Sequence, residues 1–193
     1  VLVTVEADVL CGGTLVKRAI DAGVVYTMAY GDQPSLICEL VERIKSSGFE
    51  ITCAGKGTQY LPVYHSSTPE TVWDYYGLSS QEAAAGGLNP KMFNSFLDGT
   101  KSAIEMAAVA NATGLSVPRD GLKFPPVGTS GLAQVLKPKI KGGVIKKEGT
   151  VEVVSSLERN GQEIADHLRF GVYVVFKAST AYVSRCFSEY GIP

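Results

Sequence analysis

The stretch Val24-Val25-Tyr26-Thr27-Met28-Ala29-Tyr30-Gly31-Asp32-Gln33-Pro34, followed by apolar residues at Leu36, Ile37, Leu40, Val41 and Ile44, then Gly48 and Glu50-Ile51-Thr52-Cys53-Ala54, decides the fold class. Five of the first seven residues are β-branched or aromatic, as suits a strand. Asp32 is placed to cap a helix that carries Pro34 in its first turn and a 3.6-residue apolar stripe. Gly48 stops it, and Glu50 to Ala54 reads as another strand. Working outward, Val1 to Val5 is a further β-branched run. Leu15, Val16, Ala19 and Ile20 have helical spacing and end at Gly23. Strand, helix, strand, helix, strand at this spacing predicts right-handed βαβ units in a parallel sheet, hence an α/β fold.

Beyond residue 58 the pattern changes. Thr68-Pro69-Glu70 opens a short helix, and Ser79-Ser80-Gln81-Glu82 is a capping box for another. Asn89-Pro90 opens what reads as the longest helix, closed by Gly114. Loops rich in Pro and Gly follow, with five lysines between Lys137 and Lys147. Two strands, Thr150 to Leu157 and Phe170 to Ala178, are separated by a turn signal at Arg159-Asn160-Gly161-Gln162. A last helix runs from about Thr180 to Tyr190. The expected organisation is residues 1–58 as the end of a Rossmann-type parallel sheet and residues 59–193 as an α+β catalytic and oligomerisation region. The two late strands read as a hairpin that is apolar on both faces, which calls for cover by another subunit or domain.

The composition narrows the function. The chain has 193 residues, 45% hydrophobic and 19% charged, so it can bury a core. Its 18 basic and 19 acidic residues leave no excess to drive nucleic-acid binding. No apolar run approaches the ~20 residues of a membrane span. Cys11, Cys38, Cys53 and Cys186 form no C-x-x-C pair and read as reduced thiols, which points to the cytoplasm. The chain opens directly on a strand, and the reading is of an interior portion of a longer protein.

Two features carry candidate chemistry. Lys91, Asn94, Asp98, Lys101 and Glu105 step by three and four along the predicted long helix, a narrow polar stripe on a mostly apolar cylinder. That suits a helix lining a wet cleft; the competing reading is a ladder of intrahelical ion pairs. Gly99, inside the stripe, implies a close backbone approach. The second feature is Gly55-Lys56-Gly57-Thr58, directly after a strand, where glycines could expose backbone N–H groups to an anion beside the Lys56 ammonium; the competing reading is a plain turn. Ligands of open α/β sheets sit at strand carboxyl ends. This adds Tyr30, Asp32 and Gln33 as substrate candidates, and Glu6 and Asp8 as cofactor candidates. No G-x-G-x-x-G follows any strand. His65 and His167 read as structural, since neither has a partner at metal-ligand spacing.

Five segments together resemble a known family: Val5-Glu6-Ala7-Asp8, Tyr30-Gly31-Asp32-Gln33-Pro34, Ala54-Gly55-Lys56-Gly57-Thr58, Asn89-Pro90-Lys91-Met92-Phe93-Asn94-Ser95-Phe96-Leu97-Asp98-Gly99-Thr100-Lys101, and Gly149 to Glu158. They are similar to the bacterial 1-deoxy-D-xylulose 5-phosphate reductoisomerase-like enzymes, within the homoserine dehydrogenase-like NAD(P) oxidoreductases. The resemblance implies an N-terminal Rossmann domain, of which this chain is expected to hold the last strands without the glycine fingerprint, and a C-terminal SAF region expected to lie outside it. It implies NADPH or NADH as cofactor, magnesium or manganese as a metal, a small phosphorylated substrate, and homo-oligomers. On that reading Lys56 grips the phosphate, and Lys101, with Lys91 and Asn94, polarises the carbonyl. Asp98 and Glu105 transfer protons or hold the metal. The family's homoserine dehydrogenases carry an Asp and a Lys one turn apart in this helix; Lys101 and Glu105 stand there in reversed order, which argues against homoserine as substrate. The remaining alternatives are a dehydrogenase of another hydroxy or sugar acid and a non-catalytic anion-sensing domain.

Overall fold

The computed structural model describes residues 1–4 and 7–192. The chain is α/β. It begins with β1 (Leu2–Thr4), α1 (Ala7–Asp21), β2 (Tyr26–Met28) and α2 (Gln33–Ser46), and β1 pairs with β2 in parallel. Asp32 caps α2, accepting from the Gln33 N–H at 3.0 Å, with Pro34 in the first turn as the sequence indicated. Then follow β3 (Ile51–Thr58), α3 (Val72–Tyr76), α4 (Ser80–Ala85), α5 (Pro90–Leu97), α6 (Thr100–Thr113), α7 (Leu132–Val135), β4 (Thr150–Ser155), β5 (Val172–Phe176) and α8 (Ala181–Glu189). The Ser79–Glu82 capping box of α4 and the Thr180 cap of α8 are both formed.

Three expectations are corrected. First, β3 does not extend the β1–β2 pair. It is the centre of a separate mixed sheet of order β4-β3-β5, parallel to β4 and antiparallel to β5. Residues 51 to 57 are all buried, as befits a central strand covered on both faces.

Second, β4 and β5 are not a hairpin, because β3 lies between them. Both faces of β4 are buried within this chain. On one side Val151 and Val153 pack with Ile37 and Val41 of α2 and with Met106 and Val109 of α6. On the other, Val154, Cys53 and Tyr173 pack with Val127, Leu136 and Ile145. For β4 the chain's own helices and loops thus supply the cover that the sequence reading assigned to another subunit or domain.

Third, the long helix is two helices. Asp98 ends α5, and its carboxylate accepts from the Thr100 N–H at 2.8 Å, opening α6. Gly99 between them is left-handed, φ 86°, a conformation few side chains tolerate. The close approach inferred at Gly99 is present, made by His65 and Phe124: a Cβ there would lie 3.3 Å from the His65 ring and 3.5 Å from that of Phe124.

The core makes one residue-level prediction. Cys53 is fully buried against the Tyr173 hydroxyl at 3.7 Å, and burial pushes its thiol up to about 12. The thiolate is the reactive species. Iodoacetamide at pH 8 is therefore expected to leave Cys53 intact until the chain is unfolded. Peptide mass mapping that finds Cys53 alkylated as fast in the native chain as in the unfolded one would contradict this burial.

Candidate active site

Side chains alternate across a strand, so Lys56 points to the same side as Ala54 and its neighbour Val153, toward α2 and α6. That side is otherwise apolar, and a bare ammonium there would be costly. The chain answers with Glu105 from α6. Lys56 Nζ donates to Glu105 Oε2, and the two side chains are 7% and 1% exposed. Lys56 also donates to Gln33 Oε1 at 2.9 Å, from the first turn of α2. Lys101 Nζ stands 3.6 Å from the other Glu105 oxygen and lies over the Phe96 ring, 5.1 Å from its centroid. Three elements remote in sequence, α2, β3 and α6, thus meet at one buried ion pair.

Gln33, Lys56 and Lys101 line a cleft of about 210 Å³, closed by Gly57, Thr58, Tyr76, Phe96, Arg169 and Phe170. Gln33 Nε2 donates to the Phe170 carbonyl at 3.2 Å, tying the α2 start to the segment before β5. Burial pushes the Tyr76 phenol up, while the nearby Arg169 guanidinium opposes the shift. Lys56, Lys101 and Arg169 set three cationic groups around the cleft, two of them on the Glu105 carboxylate.

The sequence candidates divide. Lys56, Gly57, Thr58, Gln33 and Lys101 line the cleft, and Glu105 binds both lysines. The other stripe residues do not join them. Lys91 is exposed at the start of α5. Asn94 is buried, donating through Nδ2 to Asp98 Oδ2 at 3.0 Å, with Oδ1 left without a partner among the described residues. Asp98 is occupied by Asn94 and by the α6 N-terminus, so it organises the helix break and shares no partner with Glu105. Tyr30 is 87% exposed after β2, and Asp32 is a helix cap. Glu6 lies outside the described residues, as does the side chain of Asp8 in the first turn of α1. The anion loop read from Gly55-Lys56-Gly57-Thr58 is corrected: these residues are strand, their register running from Gly55 opposite Glu152 to Thr58 opposite Ser155. Both histidines have structural partners. His65 Nδ1 meets the Asp98 carbonyl at 2.8 Å, and His167 Nε2 meets Glu163 at 2.9 Å.

Sequence reasoning missed Arg169, Phe170, Tyr76 and Phe96. Only the fold brings Arg169 to Lys56, and nothing local marks it.

Residues 31–193 match the family model described as Oxidoreductase DRL, catalytic domain. The chain belongs to this oxidoreductase family. A comparison with curated proteins finds no match. The DRL catalytic domain therefore accounts for the whole cleft, since Gln33, Lys56, Lys101, Glu105 and Arg169 all fall inside the matched span. Among the described residues no helix is long and apolar enough to cross a membrane.

Two groups implied by the resemblance can be weighed against these residues. Asp98 and Glu105 do not form a metal pair: each is engaged by other partners, and no cluster of three His, Cys, Asp or Glu ligands occurs among the described residues. For a dinucleotide, β1 and β2 are parallel and each is followed by a helix, but the described residues include no glycine-rich turn to receive a pyrophosphate. The described residues do not by themselves fit either group.

Proposed function

We propose that this chain is the catalytic region of an NAD(P)H-dependent oxidoreductase that reduces the carbonyl of a small phosphorylated, sugar-like substrate. The resemblance suggests conversion of 1-deoxy-D-xylulose 5-phosphate to 2-C-methyl-D-erythritol 4-phosphate. The carrying observation is the Lys56–Glu105–Lys101 arrangement with Arg169 in the same cleft. An ammonium has three donors. Lys56 spends two on Glu105 and Gln33, which leaves the third for a substrate oxygen. Held this way, it is a preorganised donor for the negative charge that develops on a carbonyl oxygen during reduction. Glu105 keeps that ammonium in place and offers a carboxylate through which a proton can pass between the lysines. Lys101 is more exposed and shares the cleft with Arg169, a pair suited to a phosphate or carboxylate. The geometry favours exchanging the roles read from sequence, with Lys56 at the reacting oxygen and Lys101 at the anion.

A hydroxy-acid or sugar-acid dehydrogenase is the second reading, because the Arg169 fork suits a carboxylate as well as a phosphate. Cys53 and Cys186 carry no disulfide, which fits a reducing compartment, and we place the protein in the cytoplasm. NADPH consumption should be followed with phosphorylated ketoses and with 2-keto acids. A sensing domain would bind these without turnover. For Arg169→Ala the expected result is a KM raised about tenfold or more with kcat within about threefold, the pattern of an anion grip used equally in ground and transition states. An unchanged KM would remove Arg169 from the site.

A further inference from the structure

A second cleft, of about 190 Å³, lies on the other side of the central sheet. Glu152 alternates with Val151 and Val153, so it faces away from α2 and α6 and from Lys56. It is 3% exposed in the middle of a strand. Its Oε1 accepts from the Lys123 N–H at 2.9 Å, the Phe124 N–H at 3.5 Å and the Val153 N–H at 3.0 Å. Oε2 accepts no hydrogen bond among the described residues, and Glu152 lines the cleft. Val117, Pro118, Val144 and Ile145 form apolar walls. The rim is basic. Lys146 pairs with Asp120, whose carboxyl is held below its usual range first by Lys146, with Lys123 and Lys139 also in range. Three ammoniums around one exposed carboxylate leave an unbalanced positive field, and Lys147 adds to it.

We propose that this cleft is a second ligand site, distinct from the Lys56 cleft, for a small anion with a flat apolar body that bears an amino group, as a purine nucleoside monophosphate does. The ring enters between Pro118 and Ile145, its amino group donates to Glu152 Oε2, and the anion meets Lys139 and Lys147 at the rim. The site stands on the far face of the sheet, so it does not depend on the oxidoreductase chemistry assigned to the first cleft.

Titration calorimetry with adenosine 5′-monophosphate, adenosine and inorganic phosphate tests it. The monophosphate is expected to bind saturably, and adenosine and phosphate alone at least about tenfold more weakly, since each keeps one end of the recognition. Lys139→Ala with Lys147→Ala should weaken the monophosphate about tenfold and leave adenosine nearly unchanged. Glu152→Gln should weaken both, because it presents a donor to a donor. Should Glu152→Gln fail to fold in a thermal melt, the lysine pair decides. The proposal is overturned if no saturable binding occurs, if neither substitution changes it, or if Arg169→Ala abolishes it, which would place the ligand in the first cleft.

Discussion

Lys56→Met is expected to lower kcat/KM by about 10²–10³-fold, the usual cost of losing one preorganised donor at a developing oxyanion. The same substitution should destabilise the fold by about 3–5 kcal/mol, because Glu105 stays buried and, among the described residues, Lys101 at 3.6 Å is its remaining counter-charge. Activity loss alone would therefore be ambiguous. Adding Glu105→Leu separates the two effects. The double variant carries no unpaired buried charge, so most of the folding stability should return, as when buried ion pairs are replaced by apolar residues. Activity should not return. Recovery of turnover along with stability would mean that Lys56 only balances Glu105. Wild-type rates in stable Lys56→Met would remove Lys56 from the chemistry altogether.

Gly57→Ala should cost about 3 kcal/mol or more, a value reserved for steric conflicts that the backbone cannot relieve. A Cβ on Gly57 would sit 1.7 Å from the Leu168 carbonyl oxygen, inside the segment that carries Arg169 and Phe170 to the cleft. Gly55→Ala is expected to behave alike for a different neighbour. Its Cβ would meet the Glu152 carbonyl oxygen at 1.8 Å and the Tyr173 hydroxyl at 3.0 Å, breaking the hydrogen bond from Tyr173 to that carbonyl. Thermal melts should show a fall of about 6–12 °C for either variant, since about 2–4 °C accompanies each kcal/mol in a chain of this length. Had these glycines formed an anion-binding turn, alanine would have impaired phosphate binding and left the melt nearly unchanged. The two outcomes are opposite in kind, and one melting curve with one binding curve distinguishes them.

Gly55 and Gly57 show how the sequence led astray. A lysine between glycines after an apolar run reads as the end of a strand, because glycine is scarce inside strands. Here the run continues through them. Glycine is needed because Tyr173 and Leu168 cross the strand at contact distance, and those residues lie more than a hundred positions away. Asp98-Gly99 misled for the opposite reason. The signal was local: an Asp-Gly pair inside a helical pattern is a breaker. The stripe of polar residues running across it suggested continuity. Yet Lys101 and Glu105, on the far side of the break, are one turn apart on α6 and keep the relation that the stripe gave them.

Local physics determined much from the sequence alone. The caps at Asp32 and Ser79, the two parallel strands with their helices, the α/β class and the candidacy of Lys56, Lys101, Glu105 and Gln33 all rest on backbone preferences and periodicities that act over a few residues. Only the tertiary structure decided which sheet β3 joins, that β4 and β5 flank it, that Arg169 completes the cleft, and that Glu105 binds both lysines. Each of these depends on pairing and burial between segments far apart in the chain. The free energy of such contacts lies in apolar area removed from water and in charge neutralised within it, quantities that no short stretch of sequence contains.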